Sequence, residues 1–385
     1  MVVSASSPVI PRWPGLPDTE RLVLRELLLH GSQSRVRIAE KLGLSRTSLT
    51  RTTRNLIDAG LIVEGPAQAL GTRGRPAEML ELRPEAVHFA GVKLTADTMY
   101  MVLTDMRGRA VAESVQTLPS RDVADVVALI ARSIPAPPRG AGPVAGLGIA
   151  VAGDVTESPE GAVLRHSNFL GWDAVALARL VTEATVLPAT VVNDVHALTG
   201  AQHWFGSGPP RSSLVVFGIG AGIGSGVVIA GELHQGAHGR AGRVGHSRIG
   251  GRGRRCENGH TDCIHSFVTI PAIEHNAGVG PGEYDTVIDR ARAGEARAAA
   301  AVRDAARAVG TVIAEAVNAF DPDAVALMGE GLDMVELAPE PLRASLVEFL
   351  EQGEPDDVSI LRPRFDFGLY ARGAAVAAMR ELLSA

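Results

Sequence analysis

The chain of 385 residues is 46% hydrophobic and 21% charged, which fits a folded protein of two or three domains and excludes a mainly disordered one. No run of about 18 uninterrupted apolar residues occurs, so no membrane span is expected, and two cysteines cannot staple a disulfide scaffold. The net charge of −6 is uneven: residues 1–83 hold 12 basic and 8 acidic side chains, the remainder 25 and 35. A basic head on an acidic body points to a head that meets a polyanion. Residues 1–17 read as a flexible tail. They are broken by prolines and lack the apolar stretch of a secretory signal, so the cytoplasm is the expected compartment.

Thr19–His30 predicts a helix with Leu22, Val23, Leu27 and Leu28 available for burial. A second helix begins near Ser34, carries Ile38 and Leu42, and breaks at Gly43. Ser45 is a candidate N-cap for a third, running to about Ala59. At about 100° per residue, Thr47, Arg51 and Arg54 share one face, and Leu49, Thr53, Leu56 and Ile57 lie on the other. Gly60 ends this helix. Leu61-Ile62-Val63 and Glu78–Leu82 then read as strands around a basic tip, Gly71-Thr72-Arg73-Gly74-Arg75-Pro76.

Residues 18–82 therefore form an expected winged helix-turn-helix, whose helix suits a major groove of double-stranded DNA. Thr47, Ser48, Arg51 and Arg54 are the candidates to read or grip the groove. Ser45 and Arg46 are placed to contact phosphate near the helix N-terminus. Arg73 and Arg75 are placed to reach the backbone or the minor groove. The competing reading is a solvated amphipathic helix in a protein-interaction module.

After a short junction at Arg83-Pro84-Glu85, the texture from residue 88 to 385 changes to Gly/Ala/Val-rich strands alternating with helices, an α/β pattern. Phe89–Gly108 predicts two strands around a turn. Gly-rich strand ends near Gly148–Asp154 and Gly218–Gly226 hint at a duplicated core. Glu295–Phe320 predicts a long amphipathic helix with solvated arginines, and Trp172 and Trp204 read as packing anchors.

Several of these segments, in order, resemble the ROK family (repressors, open reading frames, kinases). They are Lys93–Asp97, Val144–Gly153, Asn168-Phe169-Leu170-Gly171-Trp172, Val191-Val192-Asn193-Asp194, Gly218–Gly226, Gly245-His246 and Asp321–Gly331. The resemblance implies an actin-like, ribonuclease H-like body in two lobes. The added head resembles that of the family's transcriptional regulators, the xylose and N-acetylglucosamine repressors among them, down to Gly60-Leu61 and Gly74-Arg75-Pro76.

By the same resemblance, Asp194 matches the kinases' catalytic base and Asn193 a sugar-contacting Asn. The phosphate cradle is altered, however. The kinases' Asp-x-Gly-Gly-Thr is Lys93-Leu94-Thr95-Ala96-Asp97 here, and Ala221 stands where a Thr is usual. An acid has become a base and two turn glycines carry side chains, which closes the backbone to phosphate. ATP is therefore not an expected cofactor and the body is expected to be catalytically silent. A sugar kinase remains the alternative.

Two sugar-binding carboxylates of the family are replaced, by Arg243 and His265; carboxylates accept from sugar hydroxyls, whereas Arg and protonated His donate and favour anions. Asn168, Asn193, Asp194, Arg243, His246 and His265 are the candidate effector residues, for a sugar phosphate, sugar acid or oligosaccharide derivative. The other reading is a ligand-blind DNA-binding regulator. Of the family's structural-zinc ligands, His246, Cys256 and Cys263 are present and Asn258 replaces the fourth. Either His260 or His265 fills that position, or the loop packs without metal. The expected assembly is a homodimer on a palindromic operator, acting as a repressor, with lobe closure changing the spacing of the heads.

Overall fold

Three helices and a hairpin open the computed structural model, which describes residues 15–68, 77–156, 158, 161–206, 211–351 and 353–384. They are α1 (Asp18–His30), β1 (Gln33–Ser34), α2 (Arg35–Leu42), α3 (Arg46–Asp58), β2 (Ile62–Gln68) and β3 (Ala77–Leu82), with the strands ordered β1-β3-β2. Local chemistry sets each boundary. Ser34 and Ser45 cap α2 and α3, their Oγ atoms accepting the Arg37 and Ser48 N–H groups at 3.3 and 3.1 Å. Gly43 ends α2 at φ +64°, the left-handed conformation that a glycine adopts without strain.

The head starts earlier than the sequence suggests. Leu16 is only 6% exposed and its carbonyl accepts from Arg21 at 3.2 Å, so the expected tail does not extend through residue 17. An isolated leucine among prolines carries no periodicity that would reveal this docking. The expected contacts Arg73 and Arg75 lie outside the described residues.

The body begins with β4 (His88–Leu94), β5 (Thr98–Thr104), β6 (Ala110–Thr117), α4 (Val123–Ser133) and β7 (Val144–Val151). A small antiparallel excursion follows, β8 (Asp154–Thr156), β9 (Val163–Ser167) and β10 (Trp172–Val175), then α5 (Leu177–Thr185), β11 (Ala189–Asn193) and α6 (Asp194–Phe205). The next elements are β12 (Leu214–Ile219), β13 (Ile223–Ile229), β14 (Glu232–His234), α7 (His265–Val268), α8 (Ile270–Ala277), α9 (Tyr284–Arg292) and α10 (Ala296–Phe320). The chain closes with β15 (Val325–Met328), α11 (Asp333–Leu337), α12 (Pro339–Phe349), β16 (Ile360–Leu361) and α13 (Gly368–Ser384).

Two compact units result. The first takes the described residues up to Ala197 and those from Tyr370 onward; the second takes Leu198 to Leu369. The first is built on a sheet ordered β11-β7-β4-β5-β6, the second on one ordered β14-β13-β12-β15-β16. Each has a central strand with two antiparallel neighbours in series on one side and two parallel ones on the other. The duplication hinted at by two glycine-rich strand ends is thus a repeated topology.

In the first unit, Val126, Leu129 and Ile130 of α4 pack with Leu177 and Val181 of α5 and with the sheet's leucines and valines. The backbone of α13 lies directly against β4 and β7. A Cβ at Gly91 or Gly148 would stand 2.0 or 1.8 Å from the Ala371 or Ala374 carbonyl oxygen, so only glycine permits this approach. Trp172 is 5% exposed and donates its Nε1–H to the Arg121 carbonyl at 2.7 Å, while Trp204, in the second unit, is equally buried. In that unit the 25-residue α10 buries an alanine-rich stripe and leaves Arg297, Arg303 and Arg307 exposed.

Candidate nucleic-acid interface and small-molecule site

On α3, Leu49, Thr52, Thr53 and Leu56 are buried, with Ile57 half-buried beside them. Burial of this stripe turns Ser45, Arg46, Thr47, Arg51 and Arg54 outward, all exposed, with Ser48 half-buried. Among the described residues, the Arg51 and Arg54 guanidiniums hold no ion pair. Two polar ties fix the helix orientation. Asn55 donates to the buried Glu20 on α1 at 2.7 Å, and Arg35 donates its Nε–H to Thr53 at 3.3 Å. Arg35 also pairs with Glu64 and Glu78 on the two wing strands, so one side chain links α3 to the hairpin. Arg35 and Asn55 carry no local sequence signal for these roles, since their partners lie far away along the chain.

The candidate effector residues fall in both units. In the first, Asn193 Nδ2 donates to the Gly153 carbonyl at 3.1 Å and its Oδ1 accepts from Val195 N–H at 2.9 Å. Asp194 follows at the end of β11. Its Oδ2 accepts from Lys93 Nζ at 2.6 Å and its Oδ1 from Val195 N–H at 2.9 Å. Lys93 is 4% exposed and also sits 4.8 Å from the centre of the Tyr370 ring. The turn after Lys93 is closed on itself: Thr95 N–H donates to the Thr98 carbonyl, and Thr98 N–H to the Thr95 hydroxyl.

Asn168 is exposed on the β9–β10 turn, where its Oδ1 meets His166 Nε2 at 2.6 Å; His166 Nδ1 meets Asp173 Oδ1 at 2.5 Å. Two acceptors flanking one ring require two N–H donors. The bond to Asp173, and then that to Asn168, holds the imidazole pKa above the ordinary 6.5. The favoured form is the cation, so this contribution is complete below the ordinary value and fades as pH rises through the elevated one. NMR titration should place the His166 midpoint above 6.5 and Asp173→Asn should return it toward that value; an unchanged midpoint would break the assignment.

In the second unit, Arg243 and His246 are exposed, and the rings of His246 and His265 stack with centroids 5.4 Å apart. His265 Nε2 lies 3.2 Å from Glu257, and burial holds its pKa below the usual histidine value. His246 Nδ1 lies 3.8 Å from Cys256 Sγ and 3.7 Å from Cys263 Sγ, and His260 Nδ1 lies 3.6 Å from Cys256 Sγ. His246 Nε2 is 3.1 Å from Asn258 Nδ2, so both of its nitrogens face this loop.

The ROK family model matches residues 89–381, three quarters of the chain. The chain belongs to the ROK family. A winged helix-turn-helix DNA-binding model matches residues 16–63, the head of this ROK protein. It is 29% identical to a putative xylose repressor of Caldicellulosiruptor sp. (strain Rt8B.4) over 84% of this chain and 85% of the relative. A solved ROK family transcriptional regulator, a homologue of the Escherichia coli Mlc protein, shares the fold across 95% of this chain and 97% of its own (TM-score 0.78, 23% identity). A ROK family glucokinase from Streptomyces griseus, solved with glucose and AMPPNP, matches 76% of this chain and 99% of its own (TM-score 0.63, 25% identity).

For a ROK protein, the cysteine loop raises the question of zinc. Zn–S bonds of about 2.3 Å and Zn–N bonds of about 2.0–2.1 Å at tetrahedral angles put N and S about 3.6 Å apart. The three edges of 3.6–3.8 Å, from His246 to Cys256 and Cys263 and from His260 to Cys256, match that N–S spacing. His246, Cys256 and His260 keep their ligand atoms within 4.8 Å of one another. Asn258 and His265 turn to His246 and Glu257 instead.

Proposed function

We propose that this ROK protein is a DNA-binding repressor of carbohydrate genes whose body senses a sugar-type effector without phosphorylating it. The observation that carries this reading is the Lys93–Asp194 pair at 2.6 Å. A kinase base must offer a carboxylate oxygen to a sugar hydroxyl. Here both Asp194 oxygens already accept, one from an ammonium and one from a backbone N–H. In the replaced first loop the Thr95 and Thr98 N–H groups and the Thr95 hydroxyl are engaged within the turn, and side chains stand in place of the two turn glycines, which disfavours a polyphosphate cradle.

Arg51 and Arg54, with Thr47 and Ser48, enter the major groove, and Ser45 and Arg46 sit near phosphate at the N-terminus of α3. One such helix makes few base contacts, so a symmetric dimer in the cytoplasm binds a palindromic operator. Asn168 and Arg243 are the candidate effector contacts supported by exposure, Asn193 being half-buried with its amide bonded to Gly153 and Val195, and Arg243 favours a sugar phosphate or sugar acid. Genomic fragments retained by the purified chain define the operator, and titrating that complex with sugars, sugar acids and sugar phosphates identifies the effector. Release of DNA by one class is the expected result. Retention of no fragment beyond non-specific DNA would contradict the reading, and indifference to every ligand would favour a ligand-independent regulator.

A structural zinc bound by His246, Cys256, His260 and Cys263 ties the loop of the second unit. His246 belongs to this set and not to the effector contacts. Elemental analysis of dialysed protein should find one zinc per chain, lost in His260→Ala together with resistance of residues 246–263 to proteolysis. Metal-free wild type, or full zinc in that variant, would refute the ligand set.

A further inference from the structure

His166 occupies the middle strand of the small sheet ordered β10-β9-β8, with an aspartate opposite it on each neighbour. Its register partners are Asp173 on β10 and Asp154 on β8. Asp173 accepts from Nδ1, and both carboxylates favour the imidazolium. Helix α5 also packs against β9, but its charged side chains, Arg179 and Glu183, pair with each other at 3.1 Å.

A doubly protonated ring donates from both nitrogens, so the carbonyl end of Asn168, not its amino end, turns to Nε2. The Asn168 Nδ2 group then makes no hydrogen bond among the described residues and stays in water. The turn that carries it is pinned. Ser167 is buried and donates its Oγ–H to the Ala152 carbonyl at 2.8 Å, and Gly171 N–H donates to the Ser167 carbonyl at 2.8 Å. Rotation of the Asn168 amide about its last bond therefore exchanges donor for acceptor without moving the backbone.

Loss of the Nε2 proton reverses the pairing. With Nδ1–H kept on Asp173, Nε2 becomes an acceptor and repels the carbonyl oxygen facing it. The amide turns over, gives Nδ2–H to the ring and presents Oδ1 outward. We infer that His166 is a positioning residue for the effector site, its protonation selecting which end of the Asn168 amide meets the ligand. This rests on the reading of Asn168 as an effector contact. The cationic ring leaves N–H donors and a nearby positive charge for the ligand, which suit a carboxylate or phosphate. The neutral ring leaves an acceptor, which suits a sugar hydroxyl. Anionic sugars are thus held best below the His166 midpoint, which stands above the ordinary 6.5, and lose affinity as pH rises through it.

NMR of the full chain and isothermal titration with glucuronate and glucose test this together. Without ligand, the Asn168 side-chain amide signals, assigned by their loss in Asn168→Ala, should titrate with the His166 ring. They should stay still in His166→Gln, and both midpoints should fall together in Asp173→Asn. Glucuronate keeps its charge throughout, so its pH dependence belongs to the protein. Its affinity should drop about fivefold or more between about pH 6.5 and about pH 9, glucose affinity should not, and the drop should vanish in His166→Gln. Amide signals that ignore the His166 titration would overturn the inference. So would the same glucuronate pH profile in wild type and His166→Gln. Binding of neither sugar, with amide signals that follow the ring, would uphold the flip and remove Asn168 as a contact for this class of sugar.

Discussion

Alanine in place of Arg51 weakens operator binding by about 1–3 kcal/mol, roughly five- to 150-fold, if its guanidinium makes a bidentate base contact. The side chain is exposed on the face of α3 opposite the buried Leu49–Leu56 stripe, so its removal leaves the packing of the head untouched. Arg54→Ala is expected to act in the same direction. The variants separate two roles: a base contact relaxes sequence preference at one operator position, whereas a phosphate contact lowers affinity for all sequences and flattens the salt dependence. Fluorescence anisotropy on wild-type and singly altered operators reads both. Unchanged affinity in each variant would remove α3 from the interface.

Lys93→Met destabilises the chain by about 3–5 kcal/mol, because it leaves the Asp194 carboxylate without its ammonium. The pair is largely shielded, with side-chain exposures of 5% and 16%, so water replaces little of the lost interaction. The double variant Lys93→Met, Asp194→Leu should regain most of the loss, since removing both charges leaves no unpaired ion. Urea unfolding of the full chain reads the series. A single variant as stable as wild type, or a double variant no better than the single, would show that the pair is not held as described.

The head was legible because its signals are local. Ser45 as cap, the apolar period of α3 and Gly43 and Gly60 as stops lie close together, and each acts within a turn or two of helix. The repeated sheets were legible only as glycine-rich strand ends, because strand order is decided by packing partners. The Lys93–Asp194 pair was hidden for a similar reason. The two residues are 101 positions apart and read separately as a lost acid and a retained base. The register of β4 and β11 on either side of β7 brings them together, Lys93 beside Ala150 and Asn193 beside Val151. For the metal loop the sequence left His260 and His265 as equal candidates, because only the folded loop sets His260 Nδ1 3.6 Å from Cys256 Sγ and His265 Nε2 3.2 Å from Glu257.

Phosphoryl transfer and operator binding can be measured on one preparation of the full chain. Coupled detection of ADP with ATP, magnesium and a panel of hexoses, pentoses and amino sugars, run beside operator binding, decides between a silent sensor and a kinase. Saturable, sequence-specific DNA binding with no sugar-dependent ADP release is the expected result. Sugar-dependent ADP release that is abolished by Asp194→Asn, from a protein that prefers no DNA sequence, would contradict it.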